Sequence, residues 1–315
     1  CRSMVLTYVE EWRRTVTRMG RWVDFDDDYK TMDVDYMETI WWVFQQLWNQ
    51  DRIYRAHRIM PYSWKLTTPL SNFEAGSNYK EVNDPAITVR LRLTSGVEGE
   101  AYALAWTTTP WTLPGNLALC AGPDIDYVLV KDAASAERYL IAEARLGVYH
   151  KSEDEYDILE RYKGRDLEGW TYEPLMPYFA EHESAFRILT DTFVSTEDGT
   201  GLVHMAPAFG EDDYRVCQRE GVAIADYLDT DCNFTDACPE YVGQFCKDAD
   251  KAIIRRLKDE GKLVHQSTIA HNYPFCERTD TPLIYRAIDA WYVSVEAMRD
   301  DLVANNDQVH WVPDY

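Results

Sequence analysis

The chain has 315 residues, 46% of them hydrophobic, enough to fill the cores of two domains. It holds no run of about eighteen uncharged apolar residues, which excludes a helical membrane span, and its start, CRSMVLTYVEEW, lacks the order of a secretory signal. A net charge of −22 leaves little room for an extended basic face, and seven cysteines without paired spacings fit free thiols in a reducing, cytosolic setting. The missing initiator Met predicts a piece of a longer chain.

Residues 1–60 read as helical. Glu11, Arg13, Arg14, Thr17, Arg18 and Arg21 supply a polar face, and Met4, Tyr8, Trp12 and Met19 an interrupted apolar stripe. Asp33 is placed to cap a second helix through Tyr36–Asn49, whose Met37, Ile40, Trp41, Phe44 and Trp48 share one side and are expected in a core.

Ala86–Leu93 alternates Ile87, Val89, Leu91 and Leu93 with Thr88, Arg90 and Arg92, the period of a half-buried strand. A glycine-bearing turn at Ser95–Gly99 returns it into Ala101–Trp106, which predicts a hairpin whose second strand delivers three consecutive threonines. They stand in WTTTPWTLPGN, Trp106–Asn116. Threonine favours strands, whereas Pro110 and Pro114 stop a ladder, so the strand should open into a rigid, hydroxyl-lined loop. By alternation Thr107 and Thr109 share a face. Taken alone, such a stretch is also an ordinary surface turn.

Tyr127–Val130 and Tyr139–Ala142 read as strands. Leu146–Tyr162 reads as a charged, partly helical stretch whose acidic run Glu153–Glu155 is a solvated face. Phe186–Val194 alternates as a strand, and Gly199-Thr200-Gly201 turns the chain into Leu202–Met205. Glu211, Asp212 and Asp213 stand where a helix through Tyr214–Glu220 would begin, and capping is expected of Glu211 and Asp212. Lys247–Glu260 is a clearer helix, with Ala249, Ile253, Ile254 and Leu257 inward and Gly261 as its stop. Cys232 and Cys238 lie too far apart for a zinc knuckle and are read as thiols. Trp291–Val295 reads as a further strand.

Several mechanisms are excluded by inspection: there is no G-x-S-x-G elbow, no H-E-x-x-H and no Walker loop. No cysteine stands in a plausible nucleophile setting either.

Two stretches, Trp106–Asn116 and Gly199–Asp213 (GTGLVHMAPAFGEDD), closely resemble the editing site of isoleucyl-tRNA synthetases, which read WTTTPWTLP-x-N and GTG-x-VH-x-AP-x-x-G-x-(D/E)D. The likeness continues in GRWVDFDDDYKTMD at Gly20–Asp33, in METIWWVF, and in NYPFCERTDTPLIYRA at Asn272–Ala287. The valyl and leucyl enzymes look instead like T-x-R-P-E-T at the threonine loop. The resemblance implies an α+β fold: a mostly antiparallel β-barrel editing domain over 85–271, inserted into a split Rossmann-like α/β catalytic domain. Residues 1–84 would be a helical part of that domain with a connecting stem, and 272–315 the return stem and the start of the second catalytic half.

The same resemblance implies an aminoacyl-tRNA ester hydrolase acting on the tRNA(Ile) 3′ end carrying valine. Thr107, Thr108 and Thr109 would hold the water and substrate, and His204 would touch the substrate side chain or terminal ribose. Asp213 would pair the α-ammonium, kept ionised by a helix start. Trp106, Trp111 and Asn116 are implied as substrate contacts. The family's two amino-acid-activating signatures, His-x-Gly-His and Lys-Met-Ser-Lys-Ser, are absent. ATP and Mg therefore belong to the parent enzyme's synthetic reaction, and editing needs no cofactor. A monomer is expected. The alternative is a non-catalytic module that binds the tRNA acceptor end and keeps the fold.

A weak internal repeat aligns PYSWKLTTPL (Pro61–Leu70) with PFCERTDTPL (Pro274–Leu283). Some family members carry C-x-x-C in each half, together a zinc site. Here the four positions are Ser63, Leu66, Cys276 and Thr279. One thiolate of four predicts no zinc and a metal-free clasp.

Overall fold

The computed structural model describes residues 2–312. By contact the chain forms two units, one from the residues up to Ala56 together with those from Ala290 onward, the other His57–Asp289. In the first unit, α1 (Arg2–Arg18) and α2 (Val34–Asn49) are the expected helices. Asp33 is the N-cap of α2, although its side chain makes no capping hydrogen bond. The apolar side of α2 does not enter a core: Met37, Ile40, Trp41, Phe44 and Trp48 are 38–68% exposed. Their rings pack along the helix on one another, Trp41 edge-on to Phe44 at 5.7 Å and Phe44 on Trp48 at 6.1 Å.

The helical reading of residues 50–60 is also corrected. Asp51 takes a left-handed φ of 54° just past the end of α2, and the run that follows, led by Ile53 and Tyr54, forms strand β1 (Ile53–Ser63).

The second unit is built on a curled sheet. After β2 (Thr68–Pro69) and the single turn α3 (Asn72–Ala75) come β3 (Tyr79–Arg92), β4 (Tyr102–Thr107), β5 (Ala118–Ala121), β6 (Asp126–Asp132) and β7 (Arg138–Ala142). The one-turn α4 (Leu146–Tyr149) precedes β8 (Tyr156–Lys163), β9 (Arg187–Thr190) and β10 (Leu202–Met205). Then follow α5 (Glu211–Arg219), α6 (Asp250–Asp259), β11 (Leu263–Pro274) and β12 (Ile284–Val293), and α7 (Arg299–Asn306) lies in the first unit. The strand order is β8-β6-β7-β4-β10-β5-β9, and β3 pairs with both β4 and β11. Most joins are antiparallel; β4–β7, β4–β10 and β5–β9 are parallel. This is the expected mixed α and β class, and residues 85–271 lie within this unit.

Alternation explains how β4 is held. Ile87, Val89 and Leu91 of β3 pack with Ala103 and Ala105 in the main core, while Leu104 turns to a smaller core with Val128, Val130, Tyr139 and Ile141 on the other face. Burying each large aliphatic contributes about 1.5–3 kcal/mol, and a one-residue slip would reverse both faces. The register that sets Ile87 opposite Thr107 is therefore strongly specified.

Leu146–Tyr162 is charged and partly helical as read, in α4 and a 3-10 turn at Glu153–Glu155, but from Tyr156 it is corrected to a strand: β8 is an edge strand on β6. Its side chains, among them Asp157, Glu160 and Arg161, are mostly in solvent, so its two faces carry no apolar alternation. At the repeated turns, Leu66 packs against an apolar cluster of Leu70, Ala75, Cys276 and Leu283. Ser63 is buried there as well, while Thr279 bonds Thr281.

Candidate functional site

β4 ends at Thr107, and the chain then breaks into a 3-10 helix at Pro110–Gly115, with Thr109 as its N-cap and Pro110 at its first position. The hydroxyl of Thr107 accepts from the backbone N–H of Thr109 at 3.1 Å, and the Thr107 and Thr109 hydroxyls lie 3.2 Å apart; a Thr turn formed where the strand ends brings these two together, rather than strand alternation. Thr112, one turn on, donates its hydroxyl to the carbonyl of Thr109 at 2.8 Å. Behind this loop, the buried Asp250 carboxylate at the start of α6 accepts from the backbone N–H of Trp111 at 2.8 Å.

β10 lies between β4 and β5, with Val203 opposite Trp106 and His204 opposite Leu119. It is delivered by Gly199-Thr200-Gly201. Gly201 has φ +79°, and a Cβ there would stand 2.4 Å from the Cβ of Ala142, so both conformation and space demand glycine. The Arg145 guanidinium ties the rim of the site by donating to the carbonyls of Thr196, Glu197 and Gly199.

Trp106, Thr107, Thr108, Thr109, His204 and Asp213 all line one cavity of about 380 Å³, joined by Thr112, Phe193, Phe209, Gly210 and the segment from Asp198 to Val203. Trp111 and Asn116 are not among its lining residues. The Trp111 ring is buried edge-on against Phe209 at 5.1 Å, and the Asn116 amide lies behind His204, 2.7 Å from Nδ1. Asn116 Oδ1 accepts from the hydroxyl of the buried Tyr172.

Burial pushes the His204 imidazole down to about 4, so the ring is neutral at pH 7. Asp213 stands in the first turn of α5, and its Oδ2 accepts from the backbone N–H of Ala206 at 2.8 Å. Sequence reasoning expected the helix start to keep this carboxylate ionised. Instead burial raises it to about 7, outweighing the Ala206 bond, with Asp212 adding to the rise. The capping expected of Glu211 and Asp212 is corrected too: Gly210 is the N-cap, no side chain caps it, and Asp212 pairs with Arg215 at 2.9 Å.

Sequence reasoning missed Thr112, Asp250 and Tyr172. Thr112 had a signal, since it falls one 3-10 turn after Thr109 in a segment opened by proline. Asp250 and Tyr172 had none, because each reaches the loop only through the tertiary fold. The assembled pocket offers hydroxyls, a neutral imidazole and a carboxylate poised between its two charge states. That combination can hold a small apolar group, an amine and a water side by side.

The family model for tRNA synthetases class I (I, L, M and V) matches residues 1–315. The chain is 51% identical over 318 residues to isoleucine–tRNA ligase of Bdellovibrio bacteriovorus, covering 100% of this chain and 30% of that protein. It is 48% identical over 323 residues to the cytoplasmic isoleucine–tRNA ligase of Mus musculus, covering 100% of this chain and 25% of that one. It thus spans under a third of the length of these relatives. Among solved structures, the P. knowlesi cytosolic leucyl-tRNA synthetase editing domain matches at TM-score 0.45 and 12% identity, over 58% of this chain and 96% of that one.

Proposed function

The chain belongs to the class I tRNA synthetases of the isoleucine, leucine, methionine and valine group, and on that premise we propose that it is the editing portion of an isoleucine–tRNA ligase. In this reading the parent enzyme attaches isoleucine to tRNA(Ile) with ATP and Mg, and the pocket described above hydrolyses Val-tRNA(Ile) made in error. One methylene separates the two amino acids. A hydrophobic pocket gains only about 1–3 kcal/mol from such a difference, a limit for which the isoleucine–valine pair is the standard example, and a second, smaller pocket that destroys the wrong product is the remedy.

The observation that carries the reading is the convergence of two stretches distant in sequence. The threonines of Trp106–Asn116 and the His204 and Asp213 of Gly199–Asp213 line the same cavity, whose size falls within the usual range for small-molecule sites. An aminoacyl ester is already activated. The site has only to orient it, hold a water and favour the oxyanion. Asp213 pairs the α-ammonium of the valyl group, His204 forms the wall against its side chain, and the Thr107–Thr109 hydroxyls and backbone hold the water and the terminal ribose. Trp106 flanks the bound end from the strand side, while Trp111 and Asn116 support the loop from behind.

The test is release of valine from Val-tRNA(Ile) by the parent ligase and by this chain. Hydrolysis above the buffer rate supports the reading. Binding of the tRNA with no hydrolysis by either protein overturns it in favour of a non-catalytic acceptor-binding module.

A further inference from the structure

The side chain of Asn116 is fixed by three partners. Its Nδ2 donates to the carbonyl of Ala118 at 3.0 Å and lies 2.7 Å from His204 Nδ1, while its Oδ1 accepts from the Tyr172 hydroxyl at 2.8 Å. The Ala118 carbonyl can only accept, so the amide nitrogen must face it, and the amide cannot be turned over without opposing two oxygens. That orientation directs the second N–H of Asn116 at His204 Nδ1, which must then be the unprotonated nitrogen. A neutral imidazole carries its one hydrogen on the other nitrogen, Nε2. From there it donates to Thr112 Oγ1 at 3.0 Å, and Thr112 passes its own hydrogen to the carbonyl of Thr109.

A buried relay thus runs Tyr172, Asn116, His204, Thr112, Thr109, from the core to the threonine loop. Tyr172 is itself anchored: its backbone N–H donates to the carbonyl of Phe186, and its ring lies edge-on to that of Phe186 at 6.0 Å. Both ring nitrogens of His204 are spent inside the protein, which leaves its carbon edge as the surface offered to the cavity.

We propose that Tyr172 and Asn116 are positioning residues that lock His204 as the Nε2–H tautomer and so set which side chain the pocket admits. The tautomer half of this proposal stands on the geometry alone, and the selectivity half rests on the editing function proposed above. The lock makes His204 a shaped wall rather than a general base, because its basic nitrogen is already occupied by the Asn116 amide.

Nitrogen-15 NMR of histidine-labelled protein tests the lock directly, with the His204 signals assigned by their loss in His204→Gln. The expected spectrum shows one Nε2–H tautomer across the ordinary imidazole range of about pH 5–8. Asn116→Asp, which replaces the donor with an acceptor, should move the proton to Nδ1. Tyr172→Phe removes one of the two bonds that hold the Asn116 amide but keeps the Ala118 carbonyl that orients it, so Nε2–H should remain the main tautomer with a minor Nδ1–H population appearing. In deacylation by the parent ligase, both variants should narrow the preference for Val-tRNA over Ile-tRNA by roughly 10-fold, through the KM of each ester rather than a uniform loss of kcat.

An Nδ1–H or freely titrating His204 in the unaltered protein would overturn the lock. Variants that shift the tautomer but keep the Val/Ile preference would overturn its role in selection. Failure of the unaltered ligase to hydrolyse Val-tRNA counts against the editing function alone, because the spectrum is read without substrate. If Asn116→Asp does not fold, the unaltered spectrum and Tyr172→Phe still decide between these outcomes.

Discussion

The carboxylate of Asp213 lies 2.8 Å from the backbone nitrogen of Ala206, just beyond the strand that carries His204. The bond aims one oxygen at the end of β10 and leaves the carboxyl at the wall of the cavity. Burial raises its ionisation to about 7, so its proton comes and goes near neutral pH. A bound α-ammonium would draw the charged form into place.

The pH dependence of editing follows from that value. As pH falls through about 7, Asp213 in the free protein takes up a proton and loses its attraction for the ammonium. At high pH the substrate amine, with an ordinary value of about 7–8, loses its own proton. Val-tRNA deacylation should therefore give a bell-shaped kcat/KM profile, its acid limb falling tenfold per pH unit below the Asp213 midpoint. A flat profile between about pH 5 and 7 would contradict the assignment.

Asp213→Asn keeps the size of the side chain and an acceptor for Ala206 but removes the charge. Charge-assisted bonds contribute about 1.5–3 kcal/mol, so Val-tRNA hydrolysis should fall roughly 10- to 100-fold. Asp212→Asn and Glu211→Gln should cost far less, since Asp212 faces Arg215 and neither lines the cavity. Equal losses for all three would refute the role of Asp213.

The same substitution should stabilise the fold, in a pH-dependent way. A raised carboxyl favours folding fully below its unfolded value near 4 and loses that contribution as pH rises through about 7. A tenfold change in a proton-binding constant corresponds to about 1.4 kcal/mol, so Asp213→Asn should gain on the order of 2–4 kcal/mol at pH 8 and little at pH 4. Urea unfolding at the two pH values measures it, and an equal effect at both would contradict the burial argument.

Gly210 bears on the carboxylate by space alone. Its φ of −127° suits any residue, but a Cβ there would lie 2.6 Å from the Asp213 Cγ. Gly210→Ala should displace the carboxylate from Ala206 and lower deacylation about as much as Asp213→Asn, roughly 10-fold or more, with the helical content of the chain retained. Unchanged deacylation by a folded Gly210→Ala protein would show that the carboxylate tolerates displacement.

The repeated turns should bind no stoichiometric zinc, because Leu66 sits in an apolar cluster and Thr279 in a hydroxyl pair where a tetrahedral site would need thiolates or imidazoles. Elemental analysis after dialysis should find well below one zinc per chain. One per chain would contradict the metal-free clasp.

The hairpin of β3 and β4 was legible because Ile87, Val89 and Leu91 alternate with polar residues, and all three enter the main core. The threonine loop was legible from Pro110, which opens the 3-10 helix, although β4 already ends at Thr107. β8 was not, because an edge strand with both faces near solvent has no apolar period to show. The α2 aromatics misled for the opposite reason: an apolar stripe states what a helix can bury, not that it is buried. At the site, the cast of residues was readable from the motifs. The charge state of Asp213 was not, since its burial depends on the tertiary fold that brings Ala206 and Gly210 against it, and local position shows only the helix start.

The most direct measurement compares hydrolysis of Val-tRNA(Ile) and Ile-tRNA(Ile) by the parent ligase and by its His204→Ala variant. The unaltered enzyme should hydrolyse the valyl ester and spare the isoleucyl one. His204→Ala opens the wall of the pocket and should bring Ile-tRNA hydrolysis to within about 10-fold of the valyl rate, as expected when one methylene is all that distinguishes the two. An unaltered Val/Ile preference in His204→Ala would contradict the sieve, and equal hydrolysis of both esters by the unaltered enzyme would contradict the editing function itself.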